Sequence, residues 1–261
     1  MDYRAWDEDS VFPSFTDPFF PAHLARYYFA ARFLNSKKVL DLGCGKGYGS
    51  RVLAERARTV TAVDLNVDSI EFAKQNYSAQ NIEFLLEDVR EIAKRHPNTF
   101  DAVVSFEVLE HLSPTEASGF LMTLSSLLAP GGLLFLSTPN HEVVTKSGMP
   151  VPPFHINNLS SRELKTFLDQ TFENVEMYGQ VECRSAKQLA LYFIDIYSLR
   201  HSKLIKKLRA RRPSVAPIST MSPTTSRQIW NIESGEGPAQ NFRFSKWLWR
   251  QAGMSFAICK K

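Results

Sequence analysis

The chain has 261 residues, 44% of them hydrophobic and 22% charged, which suits one α/β domain with an elaboration and excludes a disordered chain. A net charge of +4 is too mild to argue by itself for nucleic acid. Three widely spaced cysteines without a CxxC pair argue against a disulfide framework or a zinc site, so no metal is expected, and a reducing cytoplasm fits.

In chain order, residues 1–20 mix aromatics, acids and prolines without the apolar core of a signal peptide, and read as a loop or lid. HLARYYFAARFL (23–34) has the apolar stripe of a helix. KVLDLG (38–43) is a short buried strand, followed by a helix over SRVLAERA. TVTAVDL (59–65) is a β-branched strand ending on Asp64. DSIEFAKQNYSA (68–79) is helical, NIEFLLEDV (81–89) carries a third strand and FDAVVSFEV (100–108) a fourth. Ser113-Pro114-Thr115-Glu116 opens the next helix with a capping box and a proline in its first turn. GLLFLSTP (132–139) is the fifth strand. Ser160 and Glu163 repeat the capping pattern before ELKTFLDQTF, VEMYGQ (175–180) makes a sixth strand, and SFAICKK a last one.

Strands alternating with helices predict a parallel, doubly wound sheet with right-handed crossovers. The expected division is an N-terminal lid and helix (1–36), a core (37–180), an insertion (181–253) and a terminal core strand (254–261). Within the insertion, 189–200 reads as a helix and 213–240 as a long loop. Residues 201–212 carry six Lys/Arg and no acid. That run reads as a solvated helix face or as a contact with an anionic membrane surface. It lacks the interleaved aromatics of a nucleic-acid site, so nucleic acid is disfavoured. No stretch is long and apolar enough to span a membrane, and the expected location is cytoplasmic, with membrane-peripheral contact through the basic run as an option.

The strongest chemical signal is Val39-Leu40-Asp41-Leu42-Gly43-Cys44-Gly45-Lys46-Gly47-Tyr48-Gly49, a strand, a glycine-rich turn and a helix. Glycines allow a sharp turn and a close ligand approach. Asp64, at the end of the next strand and 21 positions after Gly43, suits a carboxylate that accepts from ribose hydroxyls. The spacing is GxGxG, not the GxGxxG that faces a pyrophosphate, and no Lys-Ser/Thr pair marks a phosphate loop. A zwitterionic, phosphate-free cofactor with a cationic sulfonium fits acidic and backbone groups better.

These residues resemble the class I S-adenosylmethionine (SAM)-dependent methyltransferases. VLDLGCGKGYGS, AVDLN, LEDV, FDAVVSFEVLEHL and LLAPGGLLFLSTPN match successive motifs of that family over residues 37–139. The resemblance implies a Rossmann-like, seven-stranded, mostly parallel sheet with helices on both faces, strand order 3-2-1-4-5-7-6 and an antiparallel last strand. It also implies roles for residues. Gly43, Gly45 and Gly47 would line methionine and ribose, with Cys44 as the small residue of the crowded turn. Asp41 would hold the loop and approach the cofactor's amino group; Asp64, with Leu65 beside it, would bind ribose. Asp88 and Val89 would frame adenine, Asp88 alternatively capping the next helix, while Phe106 and Glu107 would flank the sulfonium and its amino-acid arm. AHLARYYFAARF and PFHINNLSSRELKTFL resemble segments of bacterial glycan and natural-product methyltransferases. His23, Arg26 and Tyr27 are candidates to close over the cofactor or acceptor, the alternative being a surface helix that only packs through Leu24, Tyr28 and Ala31.

Methyl transfer from a sulfonium needs alignment, and a hydroxyl acceptor must also lose its proton. His111 and His155 are the two candidate bases; the alternatives are a packed helix start for His111 and a loop-fixing bond for His155. The expected activity is O-methylation of a sugar hydroxyl or similar small polar acceptor in glycan or secondary-metabolite biosynthesis. N- or C-methylation of a quinone-like molecule and non-catalytic SAM binding are the alternatives. A nucleobase amino-methylation signature is absent, since its position reads Ser105-Phe106-Glu107-Val108.

Overall fold

The computed structural model describes residues 19–148, 150–182, 242–246 and 252–261. The expected lid at 1–18, the helix at 189–200, the basic run at 201–212 and the loop at 213–240 lie outside the described residues. The chain divides into two compact units, residues 1–181 with 244–261, and residues 182–243. No helix among the described residues is long and apolar enough to cross a membrane.

Strands and helices alternate as the hydrophobic pattern requires. α1 (Phe20–Ala31) is followed by β1 (Lys38–Leu42), α2 (Tyr48–Ala54), β2 (Thr59–Asp64), α3 (Val67–Tyr77) and β3 (Ile82–Leu86). Then come α4 (Val89–Arg95), β4 (Phe100–Phe106), α5 (Pro114–Leu127), β5 (Leu128–Pro139) and α6 (His141–Ser147). α7 (Ser161–Leu168), β6 (Asn174–Glu182), β7 (Phe242–Ser245) and β8 (Met254–Lys260) complete the described elements. The sheet order is β3-β2-β1-β4-β5-β8-β6-β7. β3, β2, β1, β4 and β5 are mutually parallel, and β8 runs antiparallel to both β5 and β6. This is the expected order with its antiparallel last strand, plus an edge strand, β7, in what the sequence reads as insertion.

Helix ends follow local chemistry. α1 begins three residues before the periodic stripe because Pro21 fits the first turn, where its missing N–H costs no hydrogen bond. Ser113 and Ser160 both form reciprocal capping boxes, with Glu116 and Glu163. The central strands are buried on both faces: Leu40, Val103 and Leu134 are fully buried and pack against Leu121, Leu124 and Leu164. α6 has no buried residue, which is why no apolar period announces it.

Candidate active site

The strand order creates the site. The chain proceeds outward from β1 to β3, then crosses back to β4 on the other side of β1. Ligands of open parallel sheets bind outside the carboxyl ends at such a switch point. The residues that follow β1, β2, β3, β4 and β5 therefore share one edge of the sheet.

The glycine turn occupies that edge after β1. Gly43 and Cys44 both donate their N–H to Val63 O, at 2.9 and 3.1 Å, so the turn is fastened to β2. Gly45 has φ +50°, and a Cβ there would meet no atom within 4 Å: the turn's open side faces free space. Gly47 has φ +80° and caps α2; a Cβ there would lie 2.5 Å from Ala73 Cβ and 2.9 Å from Phe84 Cε1. Gly45 leaves one side of the turn open, and Gly47 lets the start of α2 approach α3 and β3. The Cys44 thiol is buried and its pKa is pushed well up by burial, so it is a packing group and not a nucleophile.

Two acids hold the turn. Asp64 accepts from Gly45 N at 2.7 Å and Asn66 N at 2.9 Å, one bond on each carboxylate oxygen. Each oxygen keeps a lone pair for a further donor. Asp41 is fully buried and accepts from Ser50 Oγ at 2.6 Å and Tyr27 Oη at 3.5 Å. Burial, reinforced by the nearby Asp64 charge and opposed by the Ser50 bond, pushes Asp41 up to about 7. Leu65 and Leu86, after β2 and within β3, expose apolar surface at the same edge. Asp88 caps α4 by accepting from Arg90 N at 2.7 Å and also pairs with the Arg90 guanidinium, the bond that holds its pKa below the usual range. Val89 opens α4 and packs partly against the core.

α1 brings Arg26 and Tyr27 into this edge. The Tyr27 ring sits edge-on to Phe106 at 4.9 Å and would collide with any side chain at position 49. Arg26 is 1% exposed and donates to Gln180 Oε1 at 2.8 Å; its Nη2 lies 3.9 Å from Glu107 Oε1. Its Nε and Nη2 are buried without a hydrogen-bond partner among the described residues. A buried guanidinium with unused donors is costly unless an acceptor arrives. Glu107 follows β4 at φ +56°, a left-handed conformation costing a non-glycine residue about 1–2 kcal/mol, and accepts from Ser137 Oγ at 2.7 Å.

The two candidate bases meet. His111 ends a 3-10 turn (Leu109–His111), and His155 lies on the loop before α7. Ile156 N and Asn157 N donate to Glu110 O at 2.9 and 3.0 Å, and Asn157 Nδ2 donates to Leu109 O at 3.2 Å, docking the loop on the turn. The imidazole centroids are 5.1 Å apart and nearly perpendicular, with His111 stacked on Phe154. Beside them Glu110 is 2% exposed; Thr138 Oγ1 donates to its Oε2 at 3.0 Å. Burial first, then the neighbouring Glu107 charge, push the Glu110 carboxyl well up.

The structure therefore gathers Asp41, Gly43, Gly45, Gly47, Asp64, Phe106, Glu107, Arg26 and Tyr27 around the β1–β4 switch point, and sets His111 with His155. Sequence reasoning missed Gln180, Ser137, Thr138 and Glu110 as members of this neighbourhood. Of these only Glu110 carried a signal, its place beside His111 in the run after β4.

Residues 39–132 match the family model of a methyltransferase domain. A probable S-adenosylmethionine-dependent methyltransferase of Mycobacterium tuberculosis is 32% identical over 162 residues, covering 61% of this chain and 57% of that protein. A ubiquinone biosynthesis O-methyltransferase of Xanthomonas campestris is 39% identical over 116 residues, 43% of this chain and 48% of that protein. The chain thus spans about half the length of these curated relatives. A SAM-dependent methyltransferase from Archaeoglobus fulgidus of solved structure is 20% identical, covers all of both chains and superposes with a TM-score of 0.58, which is a likeness of fold. These matches make residues 39–132 similar to SAM-dependent methyltransferase domains in sequence, and the chain alike to such an enzyme in fold.

Proposed function

We propose that this chain is an enzyme that transfers the methyl group of SAM to a hydroxyl oxygen of a small polar acceptor, a sugar hydroxyl being the preferred class. The observation that carries the reading is the pairing of His111 and His155 by backbone bonds to Glu110. The acceptor oxygen needs a proton acceptor, and two imidazoles stand together just beyond β4.

The residues present fit the cofactor. The open side of Gly45 leaves room against the turn, and Asp64 retains acceptor capacity for ribose hydroxyls. Arg26 offers buried unused donors to a carboxylate, with the Glu107 carboxylate 3.9 Å from its Nη2 to balance an ammonium group. The exposed Leu65 and Leu86 offer an apolar bed for adenine. SAM, when bound, supplies a methyl group on a sulfonium, which departs as the thioether S-adenosylhomocysteine.

The residues then act by placement and proton handling. Tyr27 and Phe106 line the edge with aromatic faces and exclude water. An imidazole of His155 or His111 accepts the acceptor's proton while the oxygen–methyl bond forms and the sulfur–methyl bond breaks. Phenolic hydroxyls are the second reading, favoured by the likeness to a ubiquinone biosynthesis O-methyltransferase.

Calorimetry with S-adenosylhomocysteine, followed by methyl-transfer assays on sugar and phenol panels, tests this function. No binding of S-adenosylhomocysteine would overturn it. His155→Ala is expected to lower turnover about 10²-fold or more while binding S-adenosylhomocysteine normally. Near-normal turnover in both His155→Ala and His111→Ala would remove the general-base step.

A further inference from the structure

The buried Glu110 side chain does more in this fold than pack. One of its carboxylate oxygens is held by Thr138, and Oε1 has no hydrogen-bond partner among the described residues. An acceptor left in that state forfeits its hydration without replacement. A second carboxylate, Glu107, stands close enough to repel it, and the Arg26 guanidinium offsets that repulsion in part without donating a hydrogen bond to Glu110. A cation bound by the Glu110 carboxylate would relieve the like-charge repulsion, and through Oε1 it would also supply the missing partner.

The neighbouring groups are those that hold such a cation. One ligand atom from each of Glu110, His111 and His155 lies within 4.8 Å of the other two. The frame behind them is tied, since the loop carrying His155 is bonded to the backbone of Leu109 and Glu110. We propose that Glu110, His111 and His155 bind a divalent first-row transition cation. Two imidazoles with one carboxylate select such ions over Mg²⁺ and Ca²⁺, which favour all-oxygen sites. Three protein ligands also leave coordination positions open. The catalytic consequence rests on the hydroxyl-acceptor reading, but cation binding does not. With the cation bound the two histidines are ligands, which replaces their general-base role in the hydroxyl-acceptor reading: the cation favours the acceptor's oxyanion, and the proton passes to solvent.

Co²⁺ titration of the chelator-treated full chain tests this, read by visible ligand-field absorption and calorimetry. One Co²⁺ per chain is expected. Glu110→Gln and His155→Ala should each weaken it by at least about 10-fold. His96→Ala, at the end of α4, should not. Wild-type S-adenosylhomocysteine affinity in His155→Ala would show that the fold is intact. Absence of Co²⁺ binding, or unchanged affinity in both ligand variants, overturns the site. Stoichiometric Co²⁺ binding without methyl transfer to any hydroxyl supports the site and counts against the hydroxyl-acceptor reading instead.

Discussion

Alanine at Gly45 and at Gly47 separates two reasons for the same residue type. Both positions have positive φ, +50° and +80°. Placing an L-residue in the left-handed region costs about 1–2 kcal/mol. At Gly45 that is the whole folding cost, because the added methyl meets nothing within 4 Å. At Gly47 the methyl falls 2.5 Å from Ala73 Cβ and 2.9 Å from Phe84 Cε1. Overpacking there raises the loss to about 2–5 kcal/mol. At roughly 2–4 °C per kcal/mol for a domain of this size, Gly45→Ala lowers Tm by about 2–8 °C and Gly47→Ala by about 4–20 °C. Ligand binding should distinguish them further. The Gly45 methyl enters the space assigned to the cofactor, so S-adenosylhomocysteine affinity falls at least about 10-fold, or ~1.4 kcal/mol. Thermal unfolding and calorimetry on the purified variants measure both effects. Wild-type affinity in Gly45→Ala would refute the placement of the cofactor against this turn. Equal Tm losses in the two variants would refute the crowding argument.

Arg26→Met should weaken S-adenosylhomocysteine by at least about 10-fold yet leave 5′-methylthioadenosine, which lacks the amino-acid arm, unaffected. Equal loss for both ligands would show that the guanidinium serves only the fold. Asp41 ionises at about 7 in the folded chain against an ordinary 3.8, so the folded state binds more protons than the unfolded state across that window. Its contribution to stability therefore falls as pH rises from about 4 to about 7. Asp41→Asn should remove that part of the decline in the urea midpoint, and an unchanged pH profile would count against a buried, proton-holding Asp41. Reversing the charges of Lys206 and Lys207 should reduce pelleting with anionic vesicles by about 10-fold or more, and a wild-type chain that does not pellet would end the membrane proposal.

The legible parts of the fold were those whose cause is local. The glycine turn, Asp64 and both capping boxes each lie within a few residues of what explains them, and the strand order followed from a family likeness over 37–139. β7 was hidden because its apolar-polar alternation, Phe242-Arg243-Phe244-Ser245, lasts only four residues after a Ser- and Pro-rich stretch, too short to register. The Arg26–Gln180 bond joins residues 154 positions apart, and neither has a local reason to be polar and buried. His111 and His155 were individually visible as candidates. Their meeting depends on two N–H groups reaching Glu110 O, and no side-chain pattern encodes that. Glu110 itself is a glutamate in an apolar-flanked run, indistinguishable by type from a surface residue until its burial is known.

The position of β8 bears on how the chain is made. This strand lies inside the sheet, between β5 and β6, yet it follows both in sequence. On the ribosome, β1 to β5 with their helices can assemble as they emerge, since neighbours in that half are near in sequence. β6 has no partner toward the centre until Met254–Lys260 appears, some seventy residues later. Until then the outer edge of β5 presents unpaired backbone groups, an invitation to pair with another chain. The cofactor-binding half is thus the early-folding half, and the two strand edges that await β8, on β5 and on β6, are covered together when this single late segment slots in.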